Sequence, residues 1–182
     1  DKDSVNISGG LYGSTIDFGD GNEAFTLTAK AQGSSILGGS GGDTFVVTTA
    51  ATLTTSTLSG GAGNDSISLA QTLSGSNVLG GAGEDTITLA ALVEAGALVS
   101  GDAGSDLMVF SSTVSASSVY GGDDADTISL LSAVNNSTID LGGGADSFSF
   151  THTLSGSSVL AGSGADTLVF GAAAVLTGGS IA

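Results

Sequence analysis

Eight acids recur along this 182-residue chain with almost no drift: Glu23, Asp43, Asp65, Asp85, Asp106, Asp126, Asp146 and Asp166, at intervals of 20, 22, 20, 21, 20, 20 and 20. A period held that closely is the mark of a stack of equivalent units, each one supersecondary element that buries its apolar side against its neighbours. Each acid closes a small-residue segment: FGDGNE, GGSGGD, GGAGND, GGAGED, GDAGSD, GGDDAD, LGGGAD and AGSGAD. The 31 glycines and the absence of proline and tryptophan suit thin, closely layered units better than a bulky centre.

After each acid the chain alternates polar with apolar residues, the period of a strand with one buried face. The inward pairs are Phe25 with Leu27, Phe45 with Val47, Ile67 with Leu69, Ile87 with Leu89, Met108 with Phe110, Ile128 with Leu130, Phe148 with Phe150 and Leu168 with Phe170. A second apolar position follows thirteen residues past the acid at Ile36, Val78, Leu98, Val119, Ile139 and Val159, while Leu58 and Ile181 fit with two extra residues. Between them Leu53, Leu73, Val93, Val114, Val134 and Leu154 are placed to plug a bend. Two short strands and two turns in about twenty residues make one coil of a flattened right-handed solenoid. The expected fold is therefore all-β, a parallel two-sided β-solenoid of about nine coils, spanning about 40 Å at strand spacing. Glycine density and alternate Ser and Thr disfavour helices. Residues 1–182 read as a single repeat domain and as a segment of a longer array, since the chain opens on DKDSVNISGG and closes on GGSIA without a polar capping unit.

Stacked coils place like residues over like, so the acids form a ladder with carboxylates about 5 Å apart. Two such charges repel by about 0.8 kcal/mol in water and about 3 kcal/mol at an effective dielectric near 20, repeated at every step and set against a typical domain stability of about 5–15 kcal/mol. The acids must be protonated or share cations. Glycine permits positive-φ turns that aim several carbonyls at one point, and carbonyl with carboxylate oxygens make a hard-ion site suited to calcium, with its six to eight flexible oxygen ligands. Zinc would want His or Cys, and the chain has one histidine, His152, and no cysteine. An alternative role for the acids is to close turns by accepting backbone N–H groups, as Asp does well. With 2 basic and 18 acidic residues, a formal charge of −16, the chain would repel nucleic acid phosphates and anionic lipid, and no apolar run is long enough to insert in a membrane as a helix.

GGSGGDTFV, GGAGNDSIS and GGAGEDTIT resemble the nonapeptide GGxGxDxUx, with U a large apolar residue, of the RTX (repeats-in-toxin) calcium-binding family. The resemblance implies a parallel β-roll with Ca²⁺ held between successive turns. The implied side-chain ligands are Asp43, Asp65, Asp85, Asp106, Asp126, Asp146 and Asp166, with carbonyls from Gly39, Gly41, Gly61, Gly63, Gly81 and Gly83 among others. Seven rungs enclose six gaps, so about six ions are expected. The family is mostly secreted and bacterial and folds on meeting external calcium, which implies an extracellular, cell-surface location. Two departures matter: GGxGxD-like turns alternate here with SGSN-like or SGSS-like turns, so only one edge should bind metal, as in the solenoids of some large bacterial adhesins; and Glu23, Asp102 and Asp124 break the motif.

The function expected is structural: a calcium-binding repeat segment of a secreted bacterial surface protein, adhesin or extracellular assembly. The alternative is a ligand-binding solenoid, for ice or glycans, using outward hydroxyls such as Thr86 with Thr88, Thr127 with Ser129 and Ser147 with Ser149, an array that Val46, Leu107, Val109 and Val169 interrupt. A stripe of Leu37, Leu79, Val99, Tyr120 and Leu160 on the opposite strand suggests lateral contact, and bare strand edges suggest end-to-end self-association. An enzyme is not expected. β-Helices that cut acidic polysaccharides need basic groups, and the only ones here are Lys2 and Lys30.

Overall fold

A computed structural model describes residues 2–182. The described residues form no helix, and thus none long and apolar enough to cross a membrane. They make three parallel sheets of nine strands each, and every strand pairs with its counterparts in the adjoining coils. The first sheet runs from Ser4–Ile7 through Thr86–Leu89 to Thr167–Phe170 and carries the alternating pairs named above. Its register follows the acid count, with Ile67 opposite Ile87 and Met108 opposite Ile128. The third sheet runs from Thr15–Asp17 through Asn77–Ala82 to Ser180–Ile181; its central strands continue into the glycine turns that precede each acid.

A second sheet lies between these two, built of strands only two or three residues long, such as Leu73–Ser74 and Val93–Glu94. The apolar residues expected to plug the bend are in fact its inward rungs, and Leu53, Leu73, Val93, Val114, Val134 and Leu154 are all buried. Each coil is thus a flattened loop whose bend is itself hydrogen-bonded to the next coil. One continuous core of Phe, Leu, Ile, Val and Met side chains fills the interior. Burial of that core against non-polar neighbours is the main favourable term for the fold.

The 21-residue coil after Asp85 shifts one assignment. Val99, not Leu98, faces the core, paired with Val78 and Val119, while Leu98 is half-buried and turned outward. The extra residue is absorbed before the strand, where Ala95 and Gly96 both adopt positive φ (59° and 78°), so counting thirteen residues from the acid falls one short. The outward stripe of the third sheet therefore contains Ser100, opposite Leu79 and Tyr120, rather than Val99.

Candidate metal centre

The glycine-rich turns and the first sheet together place the acids in one column at the edge of the stack. Glu23, Asp43, Asp65, Asp85, Asp106, Asp126 and Asp146 are all buried. Within this column one carboxylate oxygen of each Asp is spoken for. Oδ1 of Asp43, Asp65, Asp85, Asp106, Asp126, Asp146 and Asp166 accepts the backbone N–H of the acid one coil earlier, at distances between 2.7 and 3.0 Å. The turn-closing role open to Asp is therefore realised across coils, with the side chain of one coil capping the main chain of its predecessor.

The second oxygen is not used in this way. Oδ2 of Asp43, Asp65, Asp85, Asp106, Asp126 and Asp146 is buried without a hydrogen-bond partner. In five coils it occupies the space left by the first glycine of the turn. A Cβ added at Gly38, Gly60, Gly80, Gly101 or Gly121 would strike Oδ2 of the same coil's Asp and also a backbone carbonyl oxygen of the following coil. In the next two coils Leu141 and Ala161 stand in that column, ahead of Asp146 and Asp166. The motif's first glycine is thus the one that leaves room beside the carboxylate, a role that the sequence reading missed.

The glycines expected to supply carbonyls behave as a second and a third column. Gly39, Gly61 and Gly81 have φ of 101°, 114° and 118°, and Gly41, Gly63 and Gly83 have φ of 124°, 118° and 135°. Each column's carbonyl oxygens aim along the stack at the glycine of the next coil: Gly39 at Gly61, Gly61 at Gly81, Gly41 at Gly63 and Gly63 at Gly83. Asp102 and Asp124, which replace glycines in these columns, keep the left-handed backbone with φ of 78° and 73°. Ser100 donates to Asp102 Oδ1 at 2.5 Å, which holds that side chain on the outer face. A further acid belongs to the column. Asp3 lies one coil before Glu23, and its carbonyl accepts the Ala24 N–H at 2.8 Å just as that of Glu23 accepts the Thr44 N–H. Its spacing of twenty residues from Glu23 and the following SVNI strand were the available signal.

Burial pushes these carboxyls up. Asp65 and Asp106 are raised to about 7 and Asp126 to about 6, from desolvation first and then from neighbouring acids, against the lowering effect of the amide hydrogen bonds. Asp85 and Asp146 are raised for the same leading reason. A buried oxygen with no donor costs free energy unless a proton or a cation joins it. No three acidic or imidazole side chains converge among the described residues, so a cation on this edge would need carbonyl oxygens as well. An orphaned carboxylate oxygen, a glycine-lined space beside it and stacked carbonyls are an all-oxygen donor set, which fits a hard, flexibly coordinated ion.

Residues 55–70, which contain GGAGND with its strand SISL, match the family model for the RTX calcium-binding nonapeptide repeat (4 copies). That stretch is similar to the RTX calcium-binding repeat. Neither a curated protein nor a solved structure matches it. The match and the parallel β-solenoid agree with each other. The match supports reading the solenoid as a calcium-binding structural repeat.

The opposite edge of the solenoid is built with neutral groups. Ser34, Ser56, Ser76, Ser117, Ser137 and Ser157 are buried, and each Oγ donates to the carbonyl two residues earlier. Most also accept the N–H of the residue one coil before, as Ser137 Oγ does from Ser117. Hydroxyls there satisfy the backbone groups that carboxylates satisfy on the acid edge, without charge.

Proposed function

We propose that the acid edge is a column of calcium sites and that the chain is a calcium-stiffened segment of a secreted bacterial surface protein, adhesin or extracellular assembly. The ligands are the carboxylates of Asp43, Asp65, Asp85, Asp106, Asp126, Asp146 and Asp166 with carbonyls from the columns of Gly39, Gly41, Gly61, Gly63, Gly81 and Gly83, for about six ions. The row of buried Oδ2 atoms without partners carries this reading. When bound, calcium supplies the positive charge that the stacked carboxylates lack. The chain's own residues do the rest: Oδ1 ties each coil to the one before, the leading glycine leaves the space, and the positive-φ glycines present their carbonyls. In calcium-poor conditions the acids repel and the coils stay apart, which keeps an exported chain unfolded; in calcium-rich surroundings the coils close and stay closed.

Far-UV circular dichroism of the chain in chelator and in millimolar calcium tests this, with calorimetry counting the ions. The expected result is cooperative gain of strand signal with calcium at about six equivalents. Equal strand content in chelator at neutral pH would reject it.

A second reading, a ligand-binding face for ice or glycans, draws on the outward hydroxyls of the first sheet. There Ser149 Oγ lies 2.9 Å from Ser129 Oγ in the preceding coil, so the columns run in register. Thermal hysteresis or glycan binding that disappears in Thr88→Tyr would favour it.

A further inference from the structure

Two turns of the acid edge put an acid where the other turns keep a glycine. Asp102 stands in the column of Gly39, Gly61, Gly81, Gly122 and Gly142, and Asp124 in that of Gly41, Gly63, Gly83, Gly104 and Gly144. Both hold a positive φ, 78° and 73°, which a side chain disfavours, so the exchange gives nothing back to the turn. The backbone oxygen is retained all the same. A Cβ added at Gly122 would strike the Asp102 carbonyl oxygen, and one at Gly144 that of Asp124, as at the glycines of the other coils. A carboxylate is thus added to the rim of the edge without loss of a carbonyl. Asp123 adds a third, beside Asp124 and opposite Ala103, and all three are exposed.

All three border one gap. Oδ2 of Asp106 lies against Gly101, next to Asp102, and Oδ2 of Asp126 lies against Gly121, two residues before Asp123. Both oxygens are buried without a hydrogen-bond partner. After desolvation, which leads, Asp102 pushes the carboxyls of Asp106 and Asp85 up, and Asp123 with Asp124 push up that of Asp126, so the rim charge reaches the column. The turns around the outer gaps, GGSGGD with GGAGND and LGGGAD with AGSGAD, carry no acid besides the rung itself. We propose, building on the calcium reading, that Asp102, Asp123 and Asp124 make the gap between Asp106 and Asp126 the tightest cation site of the edge, and so set the calcium concentration at which the coils close. About six divalent ions among the seven Asp carboxylates leave a loaded edge net positive. Exposed acids on its rim therefore favour the loaded state and oppose the empty one. Acting through water at about a Debye length, three such charges tighten a divalent site by roughly tenfold.

Circular dichroism of the 182-residue chain against free calcium tests this. The triple variant Asp102→Asn, Asp123→Asn, Asp124→Asn removes the three charges, keeps an acceptor for Ser100 and suits the left-handed backbone. Its calcium midpoint should rise by about 1.5-fold if about six ions bind as one unit, and by up to about tenfold if the central gap fills alone. The rise should shrink in about 0.5 M KCl, which screens exposed charge. Glu94→Gln removes one charge on the second sheet and should leave the midpoint in place. A wild type that needs calcium, with a triple variant of the same midpoint, would overturn the proposal and leave the calcium reading intact. A rise undiminished by salt, or an equal rise in Glu94→Gln, would do the same. A wild type folded equally in chelator at neutral pH would sink both. Should the triple variant stay unfolded in saturating calcium, Asp123→Asn, which needs no left-handed backbone, carries the same comparison.

Discussion

Asp85 shows how one side chain can serve two purposes that a substitution separates. Its Oδ1 accepts an amide from the coil before, and its Oδ2 is buried with no donor. Asp85→Asn keeps the acceptor, removes the charge and puts an amide donor beside the Gly101 carbonyl. In chelator the variant should be more stable by about 1–3 kcal/mol, the cost of a buried unsatisfied group, which is a rise of about 2–4 °C in Tm per kcal/mol for a chain of this size. In calcium it should be less stable than the wild type and bind less of the ion. Thermal melts in calcium, and in chelator the pH at which strand signal is lost as pH is raised from about 4, check the reversal of sign; a variant destabilised equally in both would leave Asp85 as a turn-closing residue alone. The same column sets a pH dependence. Asp65, Asp106 and Asp126 carry folded-state pKa values raised to about 7, 7 and 6, so folding without metal takes up protons. Their contribution is fully present below the unfolded carboxyl pKa of about 4 and is lost as pH rises through 6 to 7. In chelator, Tm should therefore fall steadily as pH rises from about 4, until no folded chain is left to melt near neutrality, and calcium should flatten or reverse that slope.

At the scale of the strand and turn, the serine edge is as much a structural ladder as the acid edge, and it offers a control. Ser137 Oγ accepts from Ser117 and donates to Asn135, so Ser137→Ala leaves a buried N–H and a carbonyl short of a partner. It should cost about 1–3 kcal/mol with no change in calcium stoichiometry, read by melts and calorimetry together. Ala97 already stands in this column and supplies no hydroxyl to the Ser76 N–H, in the coil whose turn carries the extra residue. That turn also marks where sequence stopped being legible. The acids, the inward pairs and the coil count could be read because stacking forces like residues over like, and an error in register would send a whole strand's apolar face to solvent. Leu98 and Val99 are both apolar, so neither pattern nor count could say which one the turn sends inward. The second sheet was invisible because two-residue strands are too short to alternate. The amide bonds to Oδ1 and the space beside Gly38, Gly60 and Gly80 belong to the backbone, and no side-chain pattern announces them.

Over the whole molecule, eighteen acidic residues are opposed by only two basic ones, a net charge of −16, and what matters is where the negative charge lies. A charge spread over an exposed surface is screened by ordinary salt, since the Debye length is about 8 Å at 0.15 M. The acid column is different in two respects. Its rungs stand about 4.8 Å apart, inside that length, and its carboxylates are buried, where mobile ions do not enter freely. Monovalent salt therefore leaves both the repulsion between rungs and the unpaired Oδ2 atoms in place. A divalent ion that accepts carboxylate and carbonyl oxygens meets both. Adding 0.5 M KCl to the chelated chain at neutral pH should leave its far-UV spectrum nearly unchanged, whereas a few millimolar CaCl₂ should bring the full strand signal. Magnesium should fall short of calcium, because it holds its water and demands a tight octahedron that stacked carbonyls do not offer. If KCl alone folded the chain, the charge on the acid edge would be a diffuse surface property, and the buried oxygens would need a proton rather than a metal.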